Sequence, residues 1–496
     1  MAETPSGTAK IGRRAFIIGI AATGLAVAGC VRGNATRVPN GRIGAVEASR
    51  PHSGRTVTAE ITAGRAEIDL GGTRAVTFAY RDTVPGQVIR ANVGDELAIT
   101  VKNRLNHSTS VHWHGIALRN DMDGASPASP DIPPGTDFLY KFSVPHAGTY
   151  WAHPHTGLDA DTGLYLPVIV DDPTELGRYD AEWIVVLDDW TDGIGSTPQQ
   201  IYDDLHGRAM PGMGGMPGMP GMGGVGTSSL LGDAGDVSYP YYLVNGRIAA
   251  APTTFNAKPG QRVRIRIINA GSDTAFRVAL AEHRMTVTHT DGYPVQPTDV
   301  DALLLGMGER YDVIVTAGDG VFPLVAEAEG KKALARALLS TGAGIAPAPA
   351  YRPQELDRMV GTVEMFTATP EVDLGAVKPD ATLSADLSGG MMSYDWKING
   401  RAFCDAQPLT VREGQRVRLT LSNASMMWHP MHLHGHTFQV VKADGRPGAR
   451  KDTVIVLPMQ KLAVDLIADN PGEWMLHCHN TYHMEAGMMT SLNYVT

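Results

Sequence analysis

Near the end of the chain runs the stretch His477-Cys478-His479-Asn480-Thr481-Tyr482-His483-Met484-Glu485-Ala486-Gly487-Met488. It sets a thiolate between two imidazoles, a third imidazole five residues after the thiolate and a thioether ten residues after it. Cys, His and Met are a soft donor set, and two His, one Cys and a weak axial Met are the ligands of a blue-copper electron-transfer site. Only His483 serves that site from this stretch. His477 and His479 flank the thiolate on an extended segment and face the other way. A second histidine must come from elsewhere, and the flanking pair is left for another ligand. The stretch reads as an electron wire with a copper at each end.

The elements that would hold such a wire are strands. Short runs rich in Val, Ile, Thr and Tyr recur between Gly, Pro, Asn and Asp clusters, as at 76–80, 96–101, 262–268, 311–315, 416–421 and 437–441. No long helical periodicity interrupts them, and the pattern is that of an all-β sandwich protein. The chain also repeats itself. Gly94 to Asn103, Gly260 to Asn269 and Gly414 to Asn423 each enclose one alternating strand, and Asn245-Gly246-Arg247 is echoed by Asn399-Gly400-Arg401. Three copies imply three homologous sandwich domains. We expect them at 54–172, 173–345 and 346–496.

The repeat locates the remaining histidines. Eighteen and twenty residues after the repeat glycine stand His112 and His114 in the first copy, and His432 and His434 in the third. The middle copy has Val278 and Leu280 there. Downstream, His153 and His155 follow Gly148 as His477 and His479 follow Gly472, while the middle copy offers Val325 and Glu327. Domains one and three thus carry four His-x-His pairs, and domain two reads as a spacer. Pro154 stands where the third domain has Cys478, and Thr109 where it has His429. The thiolate site therefore belongs to domain three alone, with His429 its second imidazole. Eight neutral imidazoles suit several further coppers with positions open for oxygen and water.

Residues 112–115 (His-Trp-His-Gly), 153–155 (His-Pro-His), 429–434 (His-Pro-Met-His-Leu-His) and 477–488 match, in order, the four signatures of three-domain multicopper oxidases. The chain resembles that family over about residues 60–496, including its laccases and bacterial cuprous oxidases. The resemblance implies three consecutive cupredoxin-like Greek-key β-sandwich domains and four copper ions. By it, the type 1 copper takes His429, Cys478 and His483 with Met488 axial. The type 2 copper takes His112 and His432. One type 3 copper takes His114, His153 and His479, and the other His155, His434 and His477. It also implies one-electron oxidation of a donor, with electrons leaving through Cys478 and dioxygen reduced to water. Asp123, nine residues after His114, stands where family members carry a carboxylate that relays protons.

The donor is hinted at by residues 210–222, where Met210, Met213, Met216, Met219 and Met222 recur at every third place between Pro and Gly. Pro and Gly forbid a helix there, so these thioethers are soft Cu(I) donors on an exposed loop rather than a core stripe. Cu(I) is the expected donor; Fe(II) and phenolic reductants are the alternatives. A non-enzymatic envelope factor or a copper-storage protein fits less well, because no ligand is missing and storage needs no His-Cys-His.

A net charge of −10 argues against a nucleic-acid partner. Arg13-Arg14 before an apolar run ending Val27-Ala28-Gly29-Cys30 resembles a twin-arginine export signal closing in a lipobox. Residues 1–30 are then the signal, Cys30 carries a lipid, and 31–53 form a tether to the membrane of the cell envelope. With Cys30 lipidated and Cys478 a ligand, Cys404 reads as a small buried apolar residue, and no intrachain disulfide is expected.

Overall fold

The Gly–strand–Asn repeat folds alike in all three copies. In the computed structural model, which describes residues 1, 38, 40–175, 179–208, 226–342, 344–390 and 393–495, the repeat strands are Glu96–Asn103, Arg262–Asn269 and Arg416–Asn423. Each pairs in parallel with the strand that opens its domain: Thr56–Asp69, Ala181–Trp190 and Ala381–Ser388. Each closing Asn is buried and serves the loop behind it. Asn103 donates to the carbonyls of His107 and Ile132 and accepts from Leu105 N. Asn269 donates to Thr274 and Leu305 and accepts from Gly271 N. Asn423 donates to Met427 and Val456 and accepts from Ser425 N. Loop backbone groups cut off from water need such partners, which is why the same residue closes the strand three times.

The chain is all-β, with two sheets to each of three consecutive sandwiches: four and four strands, then seven and six, then six and five. The second sandwich includes Val360–Gly361, paired with Ala302–Leu305, and so reaches past the boundary expected at 345. Asn245-Gly246 and Asn399-Gly400 have positive φ and turn tight hairpins, as Asn-Gly does in two-residue loops.

The His-x-His pairs lie on facing strands at matching register. His112 pairs across from His153 on strands His112–His114 and Gly148–His153. His432 pairs across from His477 on His429–Leu433 and Glu473–Cys478.

Helix α1 (Asn40–Ser49) falls in the stretch read as a tether. Arg50 just beyond it donates to Leu118 O in the first sandwich and Asn470 Oδ1 in the third, and Glu47 accepts from Ser143 N. That end of the stretch is thus docked on two domains. With two glycines and no apolar stripe, this helix draws its stability from docking, which sequence periodicity does not register. Cys404 corrects a second expectation: it is exposed and disulfide-bonded. It follows the apolar pair Ala402-Phe403, but a short 3-10 turn at Phe403–Asp405 keeps it at the surface. The signal with Cys30, most of the tether before α1, and Met210 to Met222 lie outside the described residues.

Candidate metal centre

The structure brings twelve predicted residues into two neighbouring groups. In the first, Cys478 Sγ lies 3.6 Å from His429 Nδ1 and 3.7 Å from His483 Nδ1, and the two nitrogens are 3.2 Å apart. A one-turn helix, α3 (Thr481–Glu485), makes this possible by folding His483 back toward the thiolate. Its N-cap Asn480 accepts from Tyr482 N and His483 N, as capping side chains do. Met488 is buried, and its carbonyl accepts from Cys478 N at 3.0 Å. Trp396 covers both imidazoles, its ring centroid 4.1 Å from His483 and 5.2 Å from His429.

In the second group, eight imidazoles from the first and third sandwiches converge. His112 Nε2 faces His432 Nε2 at 3.4 Å, and His114 Nδ1 faces His479 Nε2 at 3.2 Å. His477 Nε2 faces His434 Nε2 at 3.0 Å and His155 Nε2 at 3.3 Å. His153 sits 5.2 Å, ring to ring, from His479. Cys478 is covalently continuous with His477 and His479, so its backbone is the direct link between the groups.

The other ring nitrogens are held from behind. Nδ1 of His112, His432, His477 and His153 lies within 3.0 Å of the carbonyls of Asp123, Asp452, Cys478 and Pro154. His434 Nδ1 is 2.9 Å from Asp123 Oδ2. Donation to these acceptors places each ring's proton on Nδ1 and leaves Nε2 as a lone pair aimed at its neighbours. Burial, and then the neighbouring rings, push His153, His434, His477 and His479 well below the ordinary imidazole range, and His155 to about 3. Uncharged rings with lone pairs about 3 Å apart repel one another unless a cation lies between them. His153 Nε2 and His479 Nδ1 are buried with no hydrogen-bond partner. The donor set fits copper: imidazoles alone in one group, imidazole and thiolate with Met488 close by in the other, and every ring except those of His155 and His479 oriented by an outer partner.

Asp123 is fully buried at the end of a short turn (Asn120–Met122), with its carboxylate against His434 and its carbonyl against His112. Gly124 must follow it, since a Cβ there would lie 1.8 Å from Val111 O. Sequence reasoning missed three outer residues. Asp236 Oδ2 lies 2.9 Å from His483 Nε2 and accepts from Tyr394 OH at 2.8 Å. Burial alone would lower His483, but Asp236 together with Cys478 outweighs it and pushes the ring up to about 10. Ser425 Oγ meets His429 Nε2 at 2.8 Å. Asp452 Oδ1 lies 3.2 Å from His114 Nε2. Asp236 comes from domain two, which is therefore more than a spacer. Seven further histidines stay out of both groups; His107, for example, pairs with Asp159 and His436 with Tyr494.

Models of the multicopper oxidase family match residues 60–175, 181–344 and 377–495. A multicopper oxidase of Mycobacterium tuberculosis, MmcO, is 61% identical over 98% of this chain and 97% of its own. A copper resistance protein A homolog of Pseudomonas syringae pv. tomato is 28% identical over 97% and 98%. Among solved structures, a laccase from Botrytis aclada superposes with a TM-score of 0.72 at 25% identity, covering 90% of this chain and 89% of that one.

Proposed function

The chain belongs to the multicopper oxidase family, and from that premise we propose that it is an exported cuprous oxidase of copper tolerance, converting Cu(I) to Cu(II) at the expense of dioxygen. We assign four coppers to the twelve ligands: His429, Cys478, His483 and Met488 for type 1, His112 and His432 for type 2, and the triads of His114, His153, His479 and of His155, His434, His477 for the type 3 pair. When bound, copper at these positions would supply one-electron acceptance at the thiolate group and dioxygen reduction to water at the imidazole group.

One observation carries the choice of Cu(I): both flanks of the methionine run are anchored at the Cys478 group. Before the run, helix α2 (Pro198–Arg208) sends Tyr202 OH to Glu485 O on α3, and its His206 packs edge-on against Tyr394, 5.2 Å between centroids. Tyr394 in turn bonds Asp236. After the run, Leu231 packs with Trp428, whose Nε1 donates to Asp233 O, and Asp236 reaches His483. Flanks that both meet the electron-entry side support delivery of small soft cations there. His429 and His483 are almost wholly buried, which favours such a donor over a bulky phenol needing an open imidazole edge. The copper resistance homolog supports the same reading. Asp236 keeps one buried carboxylate oxygen without a hydrogen bond, beside the imidazole that an arriving cation must approach.

Deleting residues 210–222 is expected to raise the KM for Cu(I) about tenfold while sparing or improving oxidation of a phenol such as 2,6-dimethoxyphenol. Equal loss with both donors would count against a dedicated copper-gathering run.

The Arg13-Arg14 pair and the Val27–Cys30 box support export and a lipid anchor on Cys30. A thioether lipid consumes that thiol. Envelope protein is therefore expected to partition into detergent in a Cys30-dependent way. Envelope protein that stays in the aqueous phase with Cys30 intact would contradict the anchor.

A further inference from the structure

Domain two contributes no copper ligand, yet its Arg310 is fully buried behind the imidazole group and touches all three sandwiches. Nη1 and Nη2 donate to Asp452 Oδ1 and Oδ2 of domain three at 2.6 and 2.7 Å. Nε donates to Thr149 O of domain one at 3.0 Å, and Nη1 also to Gly308 O at 3.1 Å. The guanidinium stands over the Tyr150 ring, 5.7 Å from its centroid. Asp452, so gripped, lies 3.2 Å from His114 Nε2 and 3.4 Å from His432 Nδ1. Thr453 Oγ1 is 3.1 Å from each of the same nitrogens. Domain two holds this strand a second time, as Asp291 Oδ2 accepts from the backbone N–H groups of Asp452 and Thr453.

The fit is close. Gly115, the last residue of His-Trp-His-Gly, has positive φ, and a Cβ there would lie 2.2 Å from Arg310 Nη2. A Cβ on Gly308 would meet His479 at 2.8 Å and His114 at 2.9 Å. The motif glycine thus clears space for the guanidinium. A planar fork fixes the plane of a carboxylate in a way an ammonium does not. A buried ion pair is weak evidence for stability, since apolar replacements often fold as well.

We propose that Arg310 is a positioning residue of the copper cluster: through Asp452 it fixes His114 and His432, one imidazole from each of two ligand sets, so that domain two sets the geometry of a site built from domains one and three. The inference rests on the ligand assignment above, and the Cys478 group in the same molecule is its internal control.

The test compares copper-loaded wild type, R310K, R310M and a control, R264K. Arg264 is a buried arginine of the second sandwich that bonds Asp312 and Glu175 rather than Asp452. Copper per chain, the type 2 electron paramagnetic resonance signal, the blue absorption and the rate of copper loss to a chelator are read on each. R310M is expected to lose the type 2 signal and about one of four coppers while keeping the blue band. R310K is expected to release copper about tenfold faster than wild type, as loss of an outer orienting partner does, and R264K to release it at the wild-type rate. Full copper with an unchanged type 2 signal in R310M would overturn the proposal, as would equal losses in R264K. Should R310M not fold, wild-type release kinetics in R310K overturn it alone. A wild-type protein with a blue band but no type 2 signal would overturn the ligand assignment and this inference with it.

Discussion

Cys478→Ser is expected to lose the blue absorption and essentially all turnover together, while the protein keeps its fold. The thiolate is the soft donor that defines the first group, lying between His429 and His483. It also joins the two groups through the backbone, because its peptide neighbours are His477 and His479. Serine is close in volume, so packing at this buried position changes little, but a neutral hydroxyl is a poor soft-metal ligand. The measurement is the visible spectrum beside oxygen uptake, with circular dichroism for the fold. A folded serine variant that still consumes oxygen with Cu(I) would sink the assignment of both groups.

The second large effect is expected from Asp123→Asn. The carboxylate has two jobs within reach: Oδ2 orients His434 at 2.9 Å, while Oδ1 is buried without a hydrogen-bond partner. Asparagine keeps the shape and can still accept from His434, so an orienting role alone predicts a small change. A proton-relay role predicts a fall in kcat of about a hundredfold, with a raised solvent isotope effect and an unchanged rate of blue-band bleaching by Cu(I) under anaerobic conditions. Unchanged kcat would assign Asp123 to orientation only. The separation matters because dioxygen reduction consumes protons as well as electrons, and among the described residues no other carboxylate lies against both His112 and His434.

Most of the histidine geometry was legible because the sequence carries it twice. The interval from Gly94 to His112 equals that from Gly414 to His432, and in the fold both histidines sit opposite the first member of the second pair, His153 or His477. Repeat strands of equal length, Glu96–Asn103 and Arg416–Asn423, and equal registers turn spacing into position. Contacts that join separate domains were not legible. Asp236 lies in a Gly-rich loop, more than 240 residues before the His483 it holds, and no local pattern marks it. Asp452 sits in a charged run, Arg450-Lys451-Asp452, that reads as a solvated surface. Lys451 and Asp452 are fully buried because domain two answers them with Asp291, Glu309 and Arg310. Helix α1 and the exposed Cys404 escaped for the same reason: their surroundings, not their neighbours in sequence, decide them.

The central claim, a copper-loaded oxidase that takes electrons from Cu(I) and delivers them to dioxygen without releasing partly reduced oxygen, is tested most directly by one oxygen-electrode experiment. Cu(I), Fe(II) and a phenol are supplied in turn to the same loaded preparation, with peroxide assayed at the end of each run. The expected result is fastest uptake with Cu(I), four Cu(I) oxidised per dioxygen consumed, and no peroxide. Absence of Cu(I)-dependent uptake, or two Cu(I) per dioxygen with peroxide accumulating, would contradict it.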